Sequence, residues 1–480
     1  MERSRIINAT KWSIICEVIA KIISPITTMV LARILATEVF GIVASITAIT
    51  SLADLLTDAG FNAYIIQHQF ENETEKINTF TVCFWSNFII STILFFVILF
   101  NCTVFSALVG AGGYEKALIV SSLVLPLTSV SSIEQAVMKK ELRFKNVGII
   151  KIISKLIPFI TTIPLALLGM DYWSLIIGNL VGEVVNVFLC LRYGGFIPCL
   201  FYSCAYLKNI FSFSVWAFLE SILEWLISNV AILFIGTLFS VYYLGVFKIG
   251  INIISQITMS VYALYGNVYK SAISKEQHNP NSFRHIFYNF QKYTSMLSIP
   301  ICVGAFLYRD LITDILLGTK WFEASTLIGM WGLVSMMSIA FGNFYSDAIR
   351  AKGYPEKLVF IDAVYLIAIV IILFNAYKME FHQFCVSFCI VKIIQPMLQI
   401  IVGQKICRVS FLNLINNCRS QIIATGIIFA IVTGFKWNAY DDIVQVLTIM
   451  VCIIIYFIVF ISIYPERKTL IHYVRKILKR

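Results

Sequence analysis

Charge is what this chain has least of. Asp, Glu, Lys and Arg make up only 13% of the 480 residues, against 59% hydrophobic, which is too little polar surface to coat a soluble protein of this size. Histidine is scarcer still: the five, at 68, 278, 285, 382 and 472, lie outside the centres of the apolar stretches and do not cluster. The twelve cysteines sit mostly inside those stretches without metal-type spacing. Cys385 and Cys389 share a helix face, where buried thiols are their ordinary reading, so no metal site is expected. A Walker loop, a zinc signature, a dinucleotide fingerprint and a nucleophile triad are all missing, which excludes a self-contained ATP-driven pump and leaves no cofactor to expect. The longest polar connection lies near 271–292, so no soluble domain is present to house an active site, and the chain is not expected to be an enzyme.

What is abundant is apolar sequence in long blocks. Fourteen stretches of bilayer-spanning length run at about 12–32, 40–60, 79–100, 117–133, 147–168, 172–190, 214–238, 249–267, 293–308, 325–348, 358–376, 381–402, 420–435 and 443–464. About 20 apolar residues cross the hydrocarbon core as a helix, because no water is there to satisfy the backbone. An all-α polytopic membrane protein follows, with about 14 transmembrane helices and twelve as the alternative. The first stretch resembles a signal peptide in length, yet it carries Glu17 and Lys21 and no small-residue cleavage site follows, so it reads as a retained helix.

The basic residues set the orientation. The amino terminus, alternate loops and the carboxyl terminus hold 26 of the 37 Lys and Arg, the other loops hold 7, and Lys21, Lys151, Lys155 and Lys392 lie inside stretches. That bias places both termini in the cytoplasm. The net charge of +11 therefore belongs to short cytoplasmic loops and the 466–480 tail, which suits contact with anionic membrane lipid and excludes a nucleic-acid partner.

A weak internal repeat organises the stretches. A shift of 204 lays Trp12 on Trp216, Ile23 on Ile227, Ser24 on Ser228 and Gly41 on Gly245; a shift of 212 lays 136–140 on 348–352. Six stretches separate the copies, so both enter the membrane in the same sense, the parallel type of repeat. The expected organisation is a six-helix lobe over 1–195, a linker over 196–209, a second six-helix lobe over 210–405, and two further helices with a basic tail over 406–480. Substrate sites in such proteins lie between the halves near the midplane, with alternating access by rocking.

Ionisable groups inside a span cost roughly 2.5–3.5 kcal/mol on insertion scales and so mark bundle interiors or wet cavities. Glu17 and Lys21 share a helix face and suit either a self-neutralising pair or a site. Asp54 and Asp58 are like charges at the same spacing, as are Glu220 and Glu224; such pairs suit a shared proton or sodium ion, or else an interfacial position. Lys151 and Lys155 open their span from the cytoplasmic side, where snorkelling is the structural alternative. Lys392 is deep and has no acid on its own span, which implies either an anionic ligand or a partner on another helix such as Asp362.

Several segments taken together carry a family resemblance. Leu-Ala-Arg-Ile-Leu at 31–35, Phe40-Gly41, 52–60, 140–145, 172–178, Phe234-Ile-Gly236 with Leu244-Gly245, Ile299-Pro300 and 317–321 occur in the order found in bacterial polysaccharide and O-antigen flippases, which the chain resembles over about residues 5–360. These belong to the multidrug, oligosaccharidyl-lipid and polysaccharide exporter superfamily. The resemblance implies a two-lobed bacterial inner-membrane protein. Its expected work is to flip undecaprenyl-diphosphate-linked oligosaccharide from the cytoplasmic to the periplasmic leaflet for O-antigen, lipopolysaccharide, capsule or exopolysaccharide biosynthesis. Lys392, Lys21, Lys155, Lys151 and Arg33 are the expected substrate contacts, and Asp54, Asp58, Glu17, Glu220 and Glu224 the expected ion-coupling groups. A polysaccharide polymerase and chain-length machinery are expected partners. The chain departs from the family at Ala231, Thr237 and Lys270, where an acid, a base and a proline are common. The rival readings are a multidrug cation antiporter of the same superfamily, a non-transporting scaffold of a polysaccharide-synthesis complex and a membrane-embedded glycosyltransferase or polymerase.

Overall fold

A computed structural model describes Cys16, Ile19 and residues 23–58, 60–437 and 440–463. Glu17, Lys21, most of the first apolar stretch and the basic tail lie outside the described residues. Among the described residues the secondary structure is helical throughout, with no strand. The apolar composition dictates this, since in hydrocarbon a helix closes every backbone hydrogen bond within one segment.

Eleven helices among the described residues are long and apolar enough to cross a membrane, and thirteen do so if each of two bent pairs is one span. A shorter apolar helix, Ile23–Ile34, precedes them. The count of fourteen therefore depends on a first span that lies largely outside the described residues. In chain order the elements that matter below are α1 (Ile23–Ile34), α2 (Thr37–Asp58), α3 (Phe61–Gln67), α4 (Glu73–Phe100), α5 (Cys102–Leu108), α6 (Glu115–Ser122), α7 (Val124–Lys140), α8 (Phe144–Leu167), α9 (Asp171–Gly194), α10 (Cys204–Leu238) and α11 (Val241–Lys275). They continue as α12 (Pro280–Leu307), α13 (Arg309–Leu317), α14 (Ala324–Met337), α15 (Asn343–Ala351), α16 (Pro355–Asn375), α17 (Phe381–Lys392), α18 (Ile394–Cys407), α19 (Phe411–Asn417), α20 (Arg419–Gly434) and α21 (Asp442–Ile463).

Breaks in the helices have local causes. α6 and α7 form one span, interrupted at Leu123 just before Pro126, and α17 and α18 form another, interrupted at Ile393 just before Pro396. α14 passes into α15 through a π-helical turn at Ser338–Gly342, where a Cβ on Gly342 would press on Pro396. The bent pairs are α12 with α13, at 85°, and α19 with α20, at 63°.

The helices form two compact units, one of 1–249 with Leu366–Phe381 and one of Gly250–Tyr365 with 382–480. In the first unit α2 crosses the start of α11 at backbone contact. A Cβ on Gly41 would strike the Val241 carbonyl, and one on Gly245 would strike the Thr37 carbonyl. Both residue pairs are related by the shift of 204, so the crossing is two-fold in pattern, and small residues permit it. Nearby, Gly110 and Gly236 meet in the same way.

Positions aligned by the shift of 212 also do matching work, each within its own unit. Lys140, ending α7, donates to the Ile66 and His68 carbonyls and lies 5.2 Å from the Phe70 ring centroid. Lys352, following α15, donates to the Gln277 carbonyl and lies 4.3 Å from the Phe283 ring centroid. The helices that follow those loops open alike: the Asn72 side chain caps α4 and the Asn279 side chain caps α12.

Candidate functional site: a polar cavity in the first unit

Polar side chains of the first unit converge on one wall. α7 carries Thr128, Ser131, Ser132, Gln135 and Lys139 at intervals of one, three and four, a single stripe along a helix. Asp54 and Asp58 of α2, Asn62 of α3, Asn87 of α4, Glu183 and Asn186 of α9 and Ser221 of α10 face the same space, a cavity of about 420 Å³. Gln135, Lys139, Glu183 and Asn186 also line a second cavity of about 640 Å³, to which α8 adds Lys151, Ser154 and Lys155. The two spaces therefore share a wall. α8 and α9 can close it because α9 is small where they touch: a Cβ on Gly178 would strike Thr162 Oγ1, and one on Gly182 would lie 2.6 Å from the Pro158 ring.

Hydrogen bonds fix the wall. Thr128 Oγ1 donates to Asp54 Oδ1 at 2.6 Å, and the Asn62 amide N–H donates to Asp58 Oδ1 at 3.2 Å. Asn62 Nδ2 in turn donates to Ser132 Oγ at 2.7 Å. On the other side Glu183 Oε1 accepts from Ser131 Oγ at 2.7 Å and from Asn186 Nδ2 at 2.9 Å. Asn186 Oδ1 accepts from Gln135 Nε2 and from Ser154 Oγ, both at 3.3 Å. Networks of this kind hold their members in fixed orientation, because an unmet partner in a water-poor interior is costly.

Of the expected site residues, this cavity system brings together Asp54, Asp58, Lys151 and Lys155. Glu220 and Glu224 lie on α10, which presents Phe218 and Ser221 to the cavity. Arg33 is exposed at the end of α1. Glu17 and Lys21 lie outside the described residues. Lys392 belongs to the second unit, where its Nζ stands 4.0 Å from the centroid of the Trp331 ring, itself stacked on Phe388. An indole face is a third way to accommodate a deep cation, beside an acid or a ligand, and a desolvated contact of this kind is worth about 2 kcal/mol. Asp362 accepts from Gln395 Nε2 at 2.8 Å.

Charge spacing alone missed Asn62, Asn87, Gln135, Lys139, Glu183 and Asn186. The signal for α7 was present as a polar stripe at helical period within an apolar stretch. Glu183 is a solitary acid, and neutral amides carry no cost large enough to draw notice in sequence. Among the described residues no group of three or more His, Cys, Asp or Glu is placed to hold a metal ion.

Comparison with known proteins agrees with this architecture. Residues 30–326 match the family described as polysaccharide biosynthesis protein. The lipopolysaccharide biosynthesis protein WzxC of Escherichia coli K12 is 25% identical over 361 residues, 73% of this chain and 71% of that one. The teichuronic acid biosynthesis protein TuaB of Bacillus subtilis 168 is 21% identical over 383 residues, 78% and 76% of the two chains. Among solved structures, the lipid II flippase MurJ in an inward closed conformation superposes with a TM-score of 0.76 at 14% identity, covering 94% of this chain and 98% of that one. A multidrug resistance MATE family transporter in its inward-facing conformation gives a TM-score of 0.60 at 13% identity, covering 81% and 94%. With the family matched over more than half its length and the MurJ-like helical fold over nearly all of it, the chain belongs to the polysaccharide biosynthesis protein family of polytopic membrane proteins.

Proposed function

We propose that the chain flips an undecaprenyl-diphosphate-linked oligosaccharide from the cytoplasmic to the periplasmic leaflet of the bacterial inner membrane by alternating access, as a transporter and not a catalyst. The observation that carries this is the shared polar wall of the first unit, where Lys139, Lys151 and Lys155 stand beside hydroxyl and amide groups. A diphosphate carries about two negative charges and cannot cross hydrocarbon unaided, so its crossing requires cations and hydrogen-bond donors set inside the membrane. Sugar hydroxyls need the same mixture of donors and acceptors that Gln135, Asn186 and Ser154 offer. The names of the relatives point the same way: surface-polysaccharide biosynthesis for WzxC and TuaB, lipid II flipping for MurJ.

In this reading the lobes are 1–195 and 210–405, both termini are cytoplasmic, Lys392 adds a substrate contact from the second lobe, and a polymerase with its chain-length machinery receives the product. Asp54 and Asp58 serve ion coupling. The test is transport of defined prenyl-diphosphate sugars by purified protein in liposomes. Lys155→Gln and Lys392→Gln should each lose transport while inserting normally, and Lys392→Arg should keep part of it, since charge is retained and geometry changed. A stable, fully transporting Lys155→Gln, Lys392→Gln double variant would sink the diphosphate path.

A further inference from the structure

Between α11 and α12 the second unit holds a cleft of about 450 Å³. One stripe of each helix lines it: Tyr265 on α11, and Asn289, Phe290, Tyr293, Thr294 and Leu297 at intervals of one, three and four on α12. None of its lining residues is charged, so it is not built for a diphosphate, a metal ion or a cationic drug. Tyrosines of the surrounding cluster spend their hydroxyls nearby: Tyr262 donates to Asp347 at 2.8 Å, Tyr269 to the Phe344 carbonyl at 3.0 Å and Tyr345 to the Val409 carbonyl at 2.9 Å. Tyr265 does not. It is 9% exposed and its hydroxyl has no hydrogen-bond partner. Its ring is held in place, stacked on Phe344 at 5.1 Å and meeting Tyr262 edge to face at 5.2 Å. A buried polar group left without a partner costs free energy and is uncommon in native proteins.

A ligand that completes this cleft must be uncharged, must bring hydrogen-bonding groups, and must present an apolar face to the rings. A sugar ring does all three. The C–H groups on one face of a pyranose are apolar and weakly positive, so they lie against the negative face of an aromatic ring while the hydroxyls project sideways. We propose that the cleft is a subsite for a neutral sugar ring, with Tyr293 and Phe290 as the stacking surface and Tyr265, Asn289 and Thr294 as the hydrogen-bonding groups. Tyr293 is 59% exposed, so its ring is available, whereas Phe290 is held against Tyr269 at 5.5 Å. Asn289 spends its Nδ2 on the His285 ring at 3.3 Å, which leaves its Oδ1 to accept from a ligand. A prenyl chain would cover the rings but leave the Tyr265 hydroxyl unmet. The cleft straddles the middle of α12, at membrane depth, where polar groups facing hydrocarbon are costly. The inference rests on the flipping reading and deepens it, by naming a neutral sugar of the oligosaccharide as what the second unit recognises.

The experiment is saturation-transfer NMR on the purified full chain in a detergent without a sugar headgroup, using the free methyl glycosides of glucose, galactose, mannose and N-acetylglucosamine as probes. At least one glycoside should receive saturation, strongest on the ring C–H protons of one face, and its binding should saturate with concentration. Tyr293→Ala should weaken that binding about tenfold or more, and Tyr293→Trp, which keeps an aromatic face, should retain it. Tyr265→Phe keeps the ring and its stacking and removes only the hydroxyl, so it should fold as the wild type does and weaken binding about five- to tenfold, the worth of one buried hydrogen bond. Absence of saturation on every glycoside overturns the proposal, as does equal binding in Tyr293→Ala and Tyr265→Phe. Displacement of the bound glycoside by farnesol at lower concentration than by the glycoside itself also overturns it, because the cleft is then a seat for an apolar chain. The probes carry neither diphosphate nor prenyl chain. A failed sugar subsite therefore leaves the flipping reading intact, and failed flipping of prenyl-diphosphate sugars in liposomes leaves glycoside binding to be read on its own.

Discussion

The same place in the two halves of the repeat is built in opposite ways. In the first unit Asp58 of α2 and Gln135 of α7 line an open cavity. The repeat aligns them with Tyr262 of α11 and Asp347 of α15, and there the acid is consumed locally. Asp347, 7% exposed, accepts from the Tyr262 hydroxyl at 2.8 Å and lies 3.6 Å from Lys270 Nζ. An aromatic stack seals the neighbourhood, with Tyr265 and Phe344 at 5.1 Å and Tyr269 bonded to the Phe344 carbonyl. The aligned pair of positions lines a cavity in one half and forms a structural rivet in the other. Lys270, the departure from the family's proline, is part of the rivet.

The strongest way to break this comparison is at the backbone crossing that both copies share. Gly245→Leu and Gly41→Leu each drive a side chain into a carbonyl that cannot move aside, at a cost of more than about 3 kcal/mol, so both should abolish accumulation of folded protein in the membrane. Normal yield of either would remove the crossing from the account. Topology is read next, by reporter fusions after Lys145, Lys357, Ala111 and Lys320. A parallel repeat requires the first two to report cytoplasmic and the last two periplasmic, and opposite answers within either pair would refute it.

A smaller effect separates surface from rivet. Asp347→Ala strands the Tyr262 hydroxyl and should lower stability by ~2 kcal/mol, read as a fall in melting temperature; Lys270 is half exposed and adds little. Asp58→Asn should leave the melting temperature near that of the wild type, because its carboxylate faces the cavity. Equal destabilisation by both would erase the distinction. The smallest effect is at the loops: Lys140→Gln and Lys352→Gln should each cost ~1 kcal/mol, and additively, since they act in separate units.

The helical membrane fold was legible in the sequence because hydrocarbon enforces it: thirteen of the fourteen apolar stretches correspond to helices or bent pairs among the described residues. The glycine and lysine matches of the repeat were also legible, and Gly41, Gly245, Lys140 and Lys352 turn out to make paired contacts. The site was half legible. Charged residues in a span announce their cost, so Asp54, Asp58, Lys151 and Lys155 stood out, whereas Asn62, Asn87 and Asn186 are neutral and their burial depends on which helices meet. Trp331 could not have been paired with Lys392 from sequence, since one indole among eight tryptophans carries no sign of which cation it will face.

The contact of α2 on α11 has one further consequence. Helices normally seat by interlocking ridges of side chains into grooves, which fixes their angle as a gear fixes a shaft. At Gly41 and Gly245 the teeth are missing, and main chain rests on main chain over a point. Such a joint resists being pulled apart or pushed closer but opposes rotation only weakly, so it behaves as a bearing, and its smoothness is encoded by what two residues leave out.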